Sequence, residues 1–198
     1  GGKRNLSIDL NWPEAREAVL RLCHKADVIV ENFRPGTMKT FGLDYESVRQ
    51  QNPAVVYVSM SGFGQNTPWS TRPAFAPTVQ AESGATQTQM DHFGDDLLQP
   101  VTDWASHADV YTGLEGAIAV LAGLNKRNAT GTGLHGDVSM MATMLAVNER
   151  LHAQINELDA TDEPLALGAP ESPIFKVADG SLVTIAASPV SSGVFMRY

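Results

Sequence analysis

Along most of the chain, short apolar runs alternate with stretches whose apolar positions recur every three to four residues. Residues 5–10 (Asn-Leu-Ser-Ile-Asp-Leu) alternate polar and apolar, the period of a short half-buried strand. Asn11 then reads as a helix cap, with Pro13 in the first turn and Glu14 beside it. Ala15, Val19, Leu22 and Cys23 recur at helical spacing, so residues 13–25 are expected to form an amphipathic helix. Residues 27–30 (Asp-Val-Ile-Val) form a short apolar run of the kind buried in a parallel sheet. After the loop 31–36, residues 43–51 read as a helix stopped by Asn52-Pro53. Residues 54–61 (Ala-Val-Val-Tyr-Val-Ser-Met-Ser) are the clearest strand, rich in β-branched and aromatic side chains.

Strand, helix, strand, helix, strand implies crossover connections and a parallel α/β sheet. The pattern then loosens. Residues 62–103 are rich in polar residues, Gly and Pro, with a helix expected near 78–84, and a long irregular stretch inside a domain is usually functional. Residues 108–127 form a strong helix with many small residues, followed by a glycine-containing loop over 128–133. Residues 135–139 read as a strand and 140–158 as a second long helix. Residues 174–177 and 182–187, separated by Ala178-Asp179-Gly180, have the pattern of a hairpin with an Asp-Gly turn.

Composition narrows the function classes. The 198 residues include 14 Lys or Arg and 22 Asp or Glu, a net charge of −8, with 43% hydrophobic residues, which is globular rather than disordered composition. The acidic balance disfavours a nucleic-acid binder that tracks phosphates with clustered cations. No apolar run approaches the roughly 20 residues of a membrane span, so neither nucleic acid nor membrane is an expected partner. The single cysteine, Cys23, forms neither an intrachain disulfide nor a Cys-based zinc site. A cytoplasmic setting is expected. Both ends read as cuts through a larger protein, since the chain opens Gly1-Gly2-Lys3-Arg4 and stops at Tyr198 in an apolar stretch.

Familiar chemistries find little support. Gly62-Phe63-Gly64 follows a strand, but Thr67 stands where a dinucleotide fingerprint needs its third glycine. No Gly-Lys-Ser or Gly-Lys-Thr occurs, and Val58-Ser59-Met60-Ser61-Gly62 lacks the leading glycine of a hydrolase elbow. Asp103, His107 and Asp109 are close in sequence, yet a capped helix start accounts for them better than a metal site; no metal is expected. His24, His92, His135 and His152 are scattered, and Cys23 lies on the apolar stripe of its helix as a small hydrophobe.

Two segments stand out. Glu31-Asn32-Phe33-Arg34-Pro35-Gly36 follows the carboxyl end of a parallel strand, where open α/β sheets bind ligands. It offers an amide, an aromatic face and a guanidinium suited to phosphate, against the alternative of a connecting turn with a salt bridge. Asp109 stands at the start of the long helix, where free N–H groups and the dipole favour a charged carboxylate, with glycines after it leaving room for a bulky substrate. From the residue types alone, capping competes with catalysis there.

These segments, taken in order, resemble the class III coenzyme A transferases, the group of formyl-CoA transferase, carnitine CoA-transferase and α-methylacyl-CoA racemase. The resemblance rests on residues 27–38 (Asp-Val-Ile-Val-Glu-Asn-Phe-Arg-Pro-Gly-Thr-Met) with Phe41-Gly42-Leu43, on Tyr57-Val58-Ser59-Met60-Ser61-Gly62-Phe63-Gly64-Gln65 and on Gln80-Ala81-Glu82-Ser83-Gly84. Ala108-Asp109 with Gly113, and Arg127 with Thr130-Gly131-Thr132-Gly133 and Asp137-Val138-Ser139-Met140, complete it. It implies a Rossmann-like parallel sheet with flanking helices, the partial large domain over residues 1–165 with its opening βα unit absent. A linker and the start of a smaller α+β domain would occupy residues 166–198. It also implies an interlocked homodimer, with acyl-CoA and a carboxylic acid as substrates and coenzyme A not covalently bound before reaction. The family's catalytic aspartate falls on Asp109. CoA-contacting positions fall on Asn32, Phe33, Arg34 and Met38, with Arg72 and Phe75 beyond the glycine loop. The backbone near Gly62 and Gly64 is a candidate oxyanion site. Thr40 stands where a basic residue is common, and Phe75-Ala76-Pro77-Thr78 lacks the histidine context of the racemase branch. A racemase, or a non-catalytic CoA-binding or protein-interaction fragment, are the alternatives.

Overall fold

A computed structural model describes residues 2–88 and 106–148, together with residues 174–176, 178–180 and 182–184 of a hairpin. The chain divides into two compact units, one of Gly1–Thr86 with Thr102–Asn148 and one of Gln87–Val101 with Glu149–Tyr198.

The first unit is organised by β2 (Val56–Ser61), which pairs in parallel with β1 (Val28–Glu31) on one side and β3 (Leu134–Ser139) on the other. Val28 faces Val56 and Glu31 faces Ser59 across the first ladder; Val56 faces Leu134 and Ser61 faces Ser139 across the second. Its central place explains its composition, because a strand covered on both faces must be apolar throughout. Val55, Val56, Tyr57 and Val58 are all buried. The strand's two-residue period divides them between two cores. Val56 and Val58 join Val138 under Ala119, Val120 and Leu124 of the long helix α5 (His107–Thr130). Val55 and Tyr57 join Cys23, Leu43 and Val48 on the other face, packed by α1 (Pro13–Cys23), α2 (Thr37–Thr40) and α3 (Tyr45–Arg49). The Tyr57 hydroxyl donates to the Leu43 carbonyl at 2.9 Å. Burial first, then the Glu31 carboxylate, push the Tyr57 phenol well above its ordinary range, and burial likewise raises the Cys23 thiol.

Parallel strands require crossovers. α2 and α3 supply the first, and α4 (Ala76–Glu82) and α5 lie within the second. β3 leads directly into α6 (Met140–Val147), capped by the Ser139 hydroxyl, which accepts from the Ala142 N–H. Consequently Glu31, Ser61 and Ser139 end their strands at one edge of the sheet. The Arg127 guanidinium donates to the Asp27 carboxylate at 2.8 Å, tying α5 to the start of β1.

Four expectations are corrected. Residues 5–10 form no strand: the alternation supplies a face, but no described strand lies alongside to complete a ladder, and Leu6 is left 61% exposed. Asp9 instead accepts from the Asn11 backbone and amide, so the helix cap is Trp12 rather than Asn11. The helix expected over 140–158 stops at Val147, where Asn148 leaves helical geometry; residues 149–158 lie outside the described residues. α5 also runs on to Thr130, into the expected loop, before Gly131 ends it in the left-handed conformation. In the second unit, β4 (Ile174–Lys176) and β5 (Leu182–Thr184) pair antiparallel as the hairpin pattern predicts, with Gly180 at positive φ in the turn.

Candidate active site

The site forms where the strands end. Glu31 closes β1 with its carboxylate turned back, accepting the Phe33 N–H at 2.8 Å while 8% exposed. That bond fixes a tight turn and projects Asn32, Phe33 and Arg34 outward; Phe33 is 51% exposed. Among the described residues Arg34 has no ion-pair partner, so its guanidinium is unspent.

β2 ends in a second turn. The Ser61 hydroxyl accepts the Gly64 N–H at 3.0 Å, and the Gly62 carbonyl accepts the Met141 N–H at 3.0 Å, joining this turn to the start of α6. A side chain at Gly62 would place its Cβ 2.0 Å from the Ala74 Cβ. Only glycine permits that approach, which brings residues 72–76 against the strand end. Arg72 is paired with Glu82 and lies over the Phe63 and Trp69 rings at 5.0 and 5.4 Å. Phe75 stands 71% exposed beside it.

The third wall is the first turn of α5. Ser106 precedes it at φ 47°, the one non-glycine residue with positive φ among those described. The buried Gln80 side chain of α4 accepts the Ala108 N–H, and the Thr112 hydroxyl donates to the Ala108 carbonyl at 2.6 Å, so this turn is held by internal bonds. Asp109 lies on the turn with its side chain exposed, where the helix's N–H groups favour negative charge.

These three walls enclose a cavity of about 500 Å³. Asn32, Phe33 and Arg34 line it from β1, Gly62 from β2, Arg72 and Phe75 from the following segment, and Asp109 from α5. Two expected positions lie elsewhere. Met38 packs against the core beneath α2 and faces a neighbouring cavity of about 450 Å³, which shares Arg34, Pro35 and Ser70 with the first. Gly64 faces a third opening with Phe63 and Trp69, and its N–H is already donated to Ser61. Ser61, Thr112 and Met140 also line the Asp109 cavity although the residue patterns single out none of them; the rule that ligands bind past strand ends points to Ser61 and Met140. His107 stacks on Tyr111 with ring centroids 5.5 Å apart, and His135 hydrogen-bonds Ser59 at 2.9 Å. Asp103, His92 and His152 lie outside the described residues. Among the described residues no helix is long and apolar enough to cross a membrane.

The sequence model of CoA-transferase family III matches residues 1–192. The chain belongs to that family. It is 37% identical over 153 residues to the succinyl-CoA:mesaconate CoA-transferase of Haloarcula hispanica, covering 75% of this chain and 38% of that protein. It is 34% identical over 187 residues to the succinate–glutarate CoA-transferase of Agrobacterium fabrum, covering 92% of this chain and 45% of that protein. Among solved structures, a CAIB/BAIF family protein from Brucella suis superposes with a TM-score of 0.77 at 31% identity, over 98% of this chain and 53% of that one. The chain therefore spans about two fifths to half the length of these family III relatives. The shared architecture is the Rossmann-like parallel sheet, here in part.

Proposed function

We propose that this chain carries the nucleophile and part of the coenzyme A site of a CoA-transferase, which moves coenzyme A from an acyl-CoA donor to a carboxylic acid acceptor. One observation carries the reading: Asp109 and the turn of Asn32, Phe33 and Arg34 line a single cavity. Family membership and the relatives' named activities support the same class of reaction.

In this mechanism an Asp109 carboxylate oxygen attacks the thioester carbonyl carbon and the C–S bond breaks, leaving a mixed anhydride and the CoA thiolate. The thiolate then attacks the aspartyl carbonyl of the anhydride, releasing the donor acid as its carboxylate and leaving an aspartyl-CoA thioester. An acceptor carboxylate attacks that thioester, again expelling the thiolate. The thiolate finally takes the acceptor's acyl carbon from the second anhydride, restoring Asp109. No proton need move in any step. An exposed carboxylate at a helix start suits this role, being charged, reachable and held on a rigid turn. Arg34 meets phosphate oxygens, Phe33 and Phe75 offer ring faces to the adenine or pantetheine, and Arg72, its charge shared with Glu82, borders the same cavity. Each addition passes through a tetrahedral oxyanion, which the backbone at Gly62 and the first turn of α5 are placed to stabilise. Gly64, with its N–H engaged, has no part in this.

The outer side of α5 bears Val110, Leu114, Ile118 and Leu121, each at least half exposed, which fits burial against a second copy in a full-length homodimer. Asparagine keeps the shape of Asp109 but is no nucleophile here. In the full-length protein Asp109→Asn is expected to lower kcat by at least about 10⁴-fold with coenzyme A still bound, as measured by steady-state kinetics and calorimetric titration. Near-normal turnover by the variant would refute the assignment.

A further inference from the structure

Glycine recurs at positions 113, 116 and 123 of α5, a costly choice in a helix interior. Packing accounts for two of the three. A Cβ at Gly116 would lie 2.7 Å from the Met60 sulfur, and one at Gly123 would lie 2.5 Å from a Val56 methyl. At Gly113 a Cβ would meet nothing within 4 Å among the described residues, and its backbone is not in the left-handed region. Neither the core nor the backbone requires glycine there.

What Gly113 does adjoin is the cavity, which it lines together with Asp109. The two are four residues apart, on one face of the helix. Side chains on a helix lean towards its N-terminus and cover the turn before their own Cα. A side chain at position 113 would therefore cover the space over Asp109, where a substrate carbonyl must arrive. Around that space the helix side is walled by Thr112 and the adaptable side chains of Met60 and Met140.

We infer that Gly113 is a specificity-determining position, whose missing side chain leaves room beside the Asp109 carboxylate for acyl groups bearing a substituent on the carbon next to the thioester carbonyl. This rests on the transferase reading above. At the moment of attack the carbonyl carbon sits against Asp109, with sulfur on one side and that neighbouring carbon on the other. The sulfur leads away along the pantetheine towards Asn32, Phe33 and Arg34. The substituents of the neighbouring carbon are thus the atoms that a methyl at position 113 would strike first.

The test uses the full-length protein, unaltered and as Gly113→Ala, with two acyl-CoA donors of equal chain length, one unbranched and one methylated next to the carbonyl. In Gly113→Ala, kcat/KM for the methylated donor should fall at least about tenfold further than for the unbranched one, the usual scale for one added methyl in a tight pocket. The melting temperature should rise by about 2 °C, because alanine is the better helix former and no described residue obstructs it. Gly113→Ser is a second variant of similar size and should show the same loss of preference. An equal loss for both donors, no loss, or a lowered melting temperature would overturn the assignment of Gly113. Absence of turnover with either donor in the unaltered protein would instead overturn the transferase reading, and this inference with it.

Discussion

The two ends of α5 show the same residue types put to opposite uses. From Gly116 onward the helix lies on β2 so closely that Met60 and Val56 fill the space a Cβ would take. In its first two turns Ala108 and Thr112 are buried, while Asp109 and Gly113 line a cavity. Small residues in a helix usually mean close packing, and at Gly116 and Gly123 they do. At Gly113 the same signature marks open space. Only the distance from each glycine to its neighbours separates the two meanings, and with them the structural from the chemical part of one helix.

That division can be broken by substitution. Gly123→Ala is expected to have the largest effect on folding, because its methyl meets a buried β-branched valine that cannot swing aside; overpacking of this kind costs about 1–3 kcal/mol, read as a lowered urea midpoint with unchanged slope. Donor preference should not change. Arg34→Ala acts on the open side and should do the reverse: KM for acyl-CoA should rise on the order of tenfold, the worth of a charge-assisted phosphate contact, while the urea midpoint stays put. An Arg34 variant that unfolds early would show that its guanidinium serves the fold instead. Gly116→Ala should have the smallest effect. The obstructing atom is the sulfur of a flexible methionine, so a modest clash is set against a helix-propensity gain of about 1 kcal/mol. A loss near that of Gly123→Ala would mean that Met60 is pinned.

Much of the sheet was legible because parallel strands covered on both faces must be apolar throughout. Residues 54–61 carry that mark, and β2 occupies Val56–Ser61. The failure at residues 5–10 has the same root, since alternation describes a face but a strand exists only through its neighbour. The lining of the candidate cavity was legible where chemistry and strand ends coincide. The turn Asn32–Arg34 and Asp109 are far apart in sequence, yet the first follows a strand and the second opens a helix at one edge of the sheet. Met38 lies on α2, partly packed on the core and facing the cavity next to that of Asp109, because residues 37–40 coil into a helix. The Ser61 hydroxyl takes the Gly64 N–H, a side-chain bond that no pattern of residue types announces. The separate meanings of the α5 glycines were equally hidden, since spacing in sequence says nothing about whether Met60, Val56 or nothing at all lies opposite.

The most direct measurement is mass spectrometry of the full-length protein quenched during incubation with an acyl-CoA donor, followed by peptide mapping. The predicted result is a mass increase equal to coenzyme A less one water, confined to the peptide that contains Asp109 and lost on treatment with hydroxylamine. Turnover with no adduct on that peptide, or an adduct on a different carboxylate, would contradict the assignment of Asp109 as the nucleophile.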